Sequence, residues 1–110
     1  MNVQQIKQAV QDGKDVFWSN EGYQVILDND YLYSIFTHNE SMCGLQESEY
    51  GECFIKYTFI AFLPNNETHR TTIHAVNLND AYSKWSADFG HIEFIGNLSI
   101  FCNKQNKSFR

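Results

Sequence analysis

The start of the chain has the hydrophobic period of a helix. Residues 2–12 carry a narrow apolar stripe on one helical face, formed by Val3, Ile6 and Val10. Asn2 is a suitable N-cap, and Gly13 stands where a left-handed residue commonly ends a helix. Because the stripe is narrow, the pattern predicts a helix that lies on the surface of the fold.

After Gly13 the pattern changes to that of short strands. Segments rich in β-branched and aromatic residues recur at 15–18, 23–27, 31–37 and 42–45. The residues between them are typical of turns, and in the first turn, at 19–22, Gly22 can supply a positive φ. This half therefore predicts an antiparallel meander behind one helix.

The second half predicts the order strand, strand, helix, strand. After an acidic loop at 46–52, residues 54–63 are apolar at both alternating sets of positions. Such a run is typical of a central strand that is covered on both faces. A returning strand is predicted at 71–76, and a last strand, bulged near Gly96, at 92–102.

The second helix is predicted between these last two strands. Asn79 is its expected N-cap, Asp80 suits the positive end of the helix dipole, and Gly90 ends the helix. Its buried stripe is expected to consist of Ala81, Tyr82, Trp85 and Phe89.

Together these elements predict an α+β fold in which two helices pack on an antiparallel sheet. A chain of 110 residues is long enough to bury a core as a single domain, 1–110. Within it we expect a helix-plus-meander part at 1–45 and a β-β-α-β part at 53–102. The basic tail at 103–110 is expected to fray.

Charge and cysteine usage narrow the class of protein. A net charge of −5 argues against direct nucleic-acid binding, which needs cations to displace counterions from phosphates. No apolar run approaches the ~20 residues that span a bilayer, and the polar N-terminal segment lacks a signal-peptide core. The chain has an odd number of cysteines, Cys43, Cys53 and Cys102, which is typical of a protein in a reducing compartment. A single disulfide between Cys43 and Cys53 is the alternative.

The histidine, cysteine, serine and glycine residues do not form a known catalytic, metal-binding or phosphate-binding motif. The histidines at 38, 69, 74 and 91 never fall into a short ligand spacing, and no C-x-x-C pair is present. No serine elbow and no glycine-rich phosphate loop occur. The sequence therefore predicts no catalytic residue, no cofactor and no metal, and Cys43 with His38 is the one nucleophile pair left open.

Two groups of residues are candidates for binding a partner. Acidic side chains gather in the middle loops at Glu40, Glu47, Glu49 and Glu52. They are either solvated loop residues or a patch that meets a basic partner surface. Trp18 and Tyr23 flank the first predicted turn, where they either pack beside a hairpin or act as a binding hot spot.

The run IKQAVQDGKDVFWSNEGYQVI, residues 6–26, resembles the opening of small proteins encoded by phages, prophages and other mobile elements. The shared pattern is I-x-x-A-x-x-x-G-K-x-V-x-W-x-N-x-G-Y-x-V. Here it is carried by Ile6, Ala9, Gly13, Lys14, Val16, Trp18, Asn20, Gly22, Tyr23 and Val25. The resemblance covers roughly the first half of the chain, and the second half, from Phe54 on, departs from it. Such proteins are generally without assigned chemistry, so the resemblance implies a genomic setting.

The resulting expectation is a non-enzymatic accessory protein of a phage or mobile element. It would bind and inhibit a host protein with a basic surface, such as a nucleic-acid-targeting defence complex, in the manner of an anti-CRISPR protein. Its expected location is the cytoplasm of a bacterial host, without direct contact to nucleic acid or membrane. One alternative is a self-assembling homodimer that pairs through strands at 54–63 or 92–102. The other is a small enzyme that uses Cys43 and His38.

Overall fold

The computed structural model describes residues 1–102, so the predicted tail at 103–110 lies outside the described residues. The helices of this part are α1 (Val3–Gln11), a 3-10 helix (Glu47–Glu52) and α2 (Leu78–Phe89). The strands are β1 (Val16–Trp18), β2 (Asn20–Asp28), β3 (Tyr31–Phe36), β4 (Met42–Gly44), β5 (Cys53–Phe62), β6 (Thr68–Ala75) and β7 (Ser99–Phe101). Within residues 1–102 no helix is long and apolar enough to cross a membrane.

The strands form one antiparallel sheet in the order β4-β3-β2-β1-β5-β6. β1 and β7 share one edge of β5: β1 pairs with its first residues, Cys53–Ile55, and β7 pairs further along, from Thr58 to Ile60. The Asp15 N–H donates to the Cys102 carbonyl at 2.8 Å, so β7 and β1 lie end to end. The α+β fold predicted from the sequence is confirmed.

Both helices pack on the same face of the sheet. Ile6 and Ala9 of α1 and Trp85 of α2 join a core that includes Tyr57 and Phe59 of β5. The Trp85 and Phe59 rings are stacked with centroids 5.8 Å apart. We call this the inner face of the sheet. Burial of these aromatic and aliphatic groups is the main favourable contribution to folding.

The prediction that residues 54–63 are covered on both faces is wrong. Inner positions of β5 are buried, whereas Phe54, Lys56, Thr58 and Ile60 on the other face are half-buried and Phe62 is exposed. No helix of the described part lies on this outer face. Phe54 is instead shielded by strand neighbours, stacking on Phe17 at 5.9 Å. β5 is nevertheless central, and since both of its edges are occupied, it cannot pair with a second copy as the homodimer hypothesis supposed.

The first hairpin is tighter than predicted. β2 already begins at Asn20, and Ser19 rather than Gly22 has the positive φ, 64°. The Gly22 N–H donates to the Asn20 side chain at 2.8 Å, and a Cβ at Gly22 would lie 2.8 Å from that same oxygen. A larger residue at this position would therefore displace the Asn20 side chain from its hydrogen bond to the backbone. The positive φ expected at the end of α1 is confirmed at Gly13, with a φ of 78°.

Three details of the second half differ from the prediction. Asn77, not Asn79, caps α2, because Asn77 is extended and its side chain accepts the Asp80 N–H at 2.8 Å. Tyr82 is 52% exposed instead of buried. The predicted strand at 92–102 shrinks to β7, because the chain must first cross from α2 to the far side of β5.

Candidate functional site

Four ring side chains form a continuous row across neighbouring strands. Trp18 of β1 contacts Tyr23 of β2 edge-on, with centroids 5.1 Å apart. Tyr23 contacts Phe36 of β3 at 5.2 Å, and Phe36 contacts His38, in the turn after β3, at 5.0 Å. We call these four residues the aromatic row. Its order follows directly from the sheet, since Tyr23 and Phe36 are opposite each other in the β2–β3 register.

The aromatic row leads from the core to the surface. Trp18 packs against the buried core, whereas Tyr23 and Phe36 are half-buried and lie outside that cluster. His38 at the far end is exposed. Aromatic rings fixed by strand pairing offer a large contact area at little cost in conformational entropy, which is a common property of binding hot spots.

Glu52 is held against the first ring of the row. The Trp18 indole Nε1–H donates to Glu52 Oε2 at 3.1 Å, and the Ser19 N–H donates to the Glu52 carbonyl, also at 3.1 Å. The end of the 3-10 helix is thereby attached to the β1–β2 turn. A carboxylate thus borders the row at the Trp18 end, held by one hydrogen bond to its own oxygen and by a second to the backbone carbonyl of the same residue.

The structure separates the four predicted acidic residues into different roles. Glu49 accepts the Gln46 N–H at 2.8 Å and so caps the 3-10 helix rather than facing a partner. Glu47 is exposed on the same helix. Glu40 lies in the turn that carries His38, with its N–H donating to the Phe36 carbonyl at 2.7 Å. Of the acidic group, Glu52 and Glu40 therefore lie nearest the two ends of the row.

Sequence reasoning found Trp18 and Tyr23 but missed Phe36 and His38. The available signal was the strand at 31–37: once it pairs with β2 around the turn at 28–30, Phe36 must fall opposite Tyr23. Four residues of the pattern at 6–26, namely Trp18, Asn20, Gly22 and Tyr23, take part in this hairpin and its ring contact. Asn20 and Gly22 build the turn that reverses the chain between the first two rings.

The Cys43–His38 pair gains no support from the geometry. Cys43 is exposed on β4, and among residues 1–102 no hydrogen bond joins it to His38, because the His38 ring contacts Phe36 instead. All three cysteines are free, so the Cys43–Cys53 bridge left open by the sequence is absent. Cys53 is buried, and this burial raises the pKa of its thiol to about 11, which makes it unreactive.

A separate charged cluster lies on the outer face. Glu21 Oε1 is 2.7 Å from Lys56 Nζ, and its Oε2 is 2.8 Å from His74 Nε2. The His74 ring stacks on Phe54 with centroids 4.1 Å apart. Partial burial alone would raise the pKa of Glu21, but hydrogen bonds and charge from Lys56 and His74 outweigh it and lower that pKa. The cluster ties the irregular start of β2 to β5 and β6.

A cleft of about 570 Å³ lies between α1, the β2–β3 turn and the 3-10 helix. Its charged lining residues, Lys7 and Asp30, pair with each other at 3.2 Å. The cation is therefore already neutralised by a neighbour, and the cleft presents no excess charge for a ligand. Within the described part of the chain, no group of three or more His, Cys, Asp or Glu side chains is placed to hold a metal ion.

Comparisons with known proteins give no assignment. No family model matches the chain, and neither the curated proteins nor the solved structures that were compared contain a match.

Proposed function

We propose that this protein is a non-enzymatic binding module that engages a basic surface of a partner protein. The observation that carries the proposal is the aromatic row, Trp18–Tyr23–Phe36–His38, which is held by strand pairing and half-exposed, with the Glu52 carboxylate fixed at one end. Rings and a carboxylate placed side by side are suited to contact with a partner surface.

The chemistry of the row favours cationic side chains, arginine above all. A guanidinium group stacks on aromatic faces and pairs with carboxylates through its planar set of donors. Glu52 supplies such a carboxylate beside Trp18, and Glu40 lies in the turn that carries His38. The net charge of −5 adds long-range attraction for a basic partner and speeds encounter.

In its finer form, the proposal is an accessory protein of a phage or mobile element that inhibits a bacterial host protein. A nucleic-acid-targeting defence complex, as for anti-CRISPR proteins, is the favoured class of target. Support comes from the phage-like pattern at 6–26, whose residues Trp18 and Tyr23 supply half of the row. A complex that binds nucleic acid needs a basic channel, and that is the surface an acidic aromatic patch would cover.

The direct test is a pull-down from bacterial host lysate with matched variants. Tyr23→Ala removes a half-buried ring that lies outside the core cluster, and Tyr82→Ala removes a more exposed tyrosine on α2 as the control. We expect a stoichiometric partner whose affinity falls at least ~10-fold with Tyr23→Ala. Tyr82→Ala should retain it. Recovery of no stoichiometric protein, or equal recovery with both variants, would contradict the proposal.

The finer form has its own readout. Expression of the protein in a host with an active defence system should restore plaque formation by a targeted phage, and Tyr23→Ala should reduce that restoration. If a partner binds but infection is not restored, the proposed binding role is retained and the proposed inhibition of host defence is excluded.

A further inference from the structure

Besides the aromatic row, the sheet formed by residues 1–102 has an unpaired backbone edge at β6. β6 pairs with β5 along its whole length, from Thr68↔Phe62 to Ala75↔Ile55. It is the last strand of the sheet order, and among residues 1–102 no strand pairs with its other edge. An unpaired edge of this length is a template for an added strand.

The hydrogen bonds identify which residues point outward along this edge. The His74 carbonyl accepts from Lys84 Nζ at 2.9 Å, so it points away from β5. The opposite residue, Lys56, likewise donates its N–H away from β6, to the Asp15 carbonyl at 2.9 Å. In an antiparallel ladder such pairs alternate with hydrogen-bonded ones. Residues two, four and six positions before His74, namely Thr72, Arg70 and Thr68, therefore also point their N–H and C=O groups outward.

The side chains of these same residues lie on the outer face, which no helix of the described part covers. Arg70 is exposed there, opposite Ile60 and between the two threonines. Among the described residues it makes no salt bridge, in contrast to Lys7, Lys56 and Lys84. The edge is thus cationic in a chain whose net charge is negative.

This charge argues against a second copy as the occupant. In a two-fold antiparallel pair, outward-pointing residues must face each other, so Arg70 would face Arg70, Thr72 or His74 of the second copy in the three fullest registers. In the register in which Arg70 faces Thr72, the two Arg70 residues are diagonal neighbours, about 7–8 Å apart. Every one of these registers therefore sets Arg70 against a cationic or protonatable side chain, and like charges across strands are destabilising.

We propose that β6 binds an extended acidic segment of a partner protein as an added strand. The backbone groups of Arg70 and Thr72 supply the main-chain hydrogen bonds. A carboxylate of the bound segment lies beside Arg70 on the outer face. The site is separate from the aromatic row, because β5 lies between β6 and β1, the nearest strand of the row.

Synthetic peptides of eight residues, matching the length of β6, test this inference. One alternates Glu with Val, and its counterpart alternates Lys with Val. With the Glu peptide, amide hydrogen exchange at Arg70 and Thr72 should slow at least ~10-fold, since their N–H groups become paired. The Lys peptide should leave both amides unprotected. Protection by both peptides alike, or by neither, would overturn the proposal.

Variants separate this edge from other surfaces. Arg70→Glu should abolish binding of the Glu peptide and create binding of the Lys peptide, whereas Lys14→Glu, the same charge change elsewhere, should alter neither preference. Thr72→Pro removes one outward N–H, which edge strands tolerate, and should weaken binding of the Glu peptide. Loss of Glu-peptide binding in Tyr23→Ala would place the peptide on the aromatic row instead. A dimer of the free protein by light scattering, with slow exchange at Arg70 and Thr72, would identify a second copy as the occupant and refute the acidic segment.

Discussion

The Trp18 indole donates a hydrogen bond of 3.1 Å to Glu52, a residue 34 positions further along the chain. This contact joins the first hairpin to the 3-10 helix and fixes both the first ring and the carboxylate of the candidate site. Removal of this contact should therefore change the local structure around Trp18 while the overall fold is retained.

Glu52→Ala should shift the indole N–H resonance of Trp18 upfield and lower the free energy of unfolding by about 1 kcal/mol, the usual contribution of such a hydrogen bond. The Trp85 indole resonance should stay in place. Glu47→Ala, in the same 3-10 helix but exposed, is the matched control and should change neither quantity. Equal effects of the two variants in NMR and denaturant titration would show that the contact is not formed.

The cap of α2 gives a clean comparison between two asparagines. Asn77→Ala should destabilise the protein by about 1 kcal/mol, because the Asp80 N–H loses the side-chain acceptor that it has at 2.8 Å. Asn79→Ala should be neutral or slightly stabilising, since Asn79 lies inside the helix, where alanine is favoured. Urea unfolding of both variants checks this. The opposite order would restore the cap predicted from the sequence.

Glu21→Gln should reduce stability in a pH-dependent way. Because the folded-state pKa of Glu21 is lowered, its contribution is present at neutral pH and is lost as the pH falls through that lowered value. At pH 7 we expect a cost of about 0.5 kcal/mol, since solvent screens these partly exposed groups. Once the pH is well below that lowered pKa, Glu21 is protonated and the wild type and variant should converge. Thermal melts of both proteins over this pH range check the prediction. A stability difference that does not change with pH would rule out the charge effect.

The cysteines should differ in reactivity in the folded state. Cys43 is exposed and should react first with N-ethylmaleimide at neutral pH. Cys53 is buried with a thiol pKa of about 11, so it should react only after unfolding in denaturant. Peptide mapping by mass spectrometry assigns the modified sites. If alkylation of Cys43 abolished an activity of the protein while leaving the fold intact, the enzyme hypothesis would gain its first support.

The sequence predicted the local elements well because their causes are local. Of the predicted stripe of α1, Ile6 is buried and Val3 and Val10 are half-buried against the core, and Gly13 has the positive φ expected at a helix end. The N-cap of α2 is predicted at Asn79 instead of Asn77 because asparagine has the same N-cap propensity at both positions. Only the extended backbone at Asn77 distinguishes them.

The remaining differences depend on contacts between distant parts of the chain. Alternation in β5 shows which residues share a face, but whether a helix covers that face depends on where α1 and α2 pack. The aromatic row also needed the β2–β3 register, which brings Phe36 to Tyr23. The acidic residues also differ in this respect, since Glu49 caps its own 3-10 helix through Gln46, whereas Glu52 accepts a hydrogen bond from Trp18, 34 positions away.

The end-to-end placement of β7 and β1 along β5 has a consequence for the order of folding. One edge of the central strand is completed by segments from opposite ends of the described chain, joined where Asp15 bonds to Cys102. During synthesis β1 and β5 are available long before β7 has left the ribosome. Pairings so distant in sequence slow folding. Until β7 arrives, the edge of β5 from Thr58 to Ile60 stays unpaired and open to wrong partners.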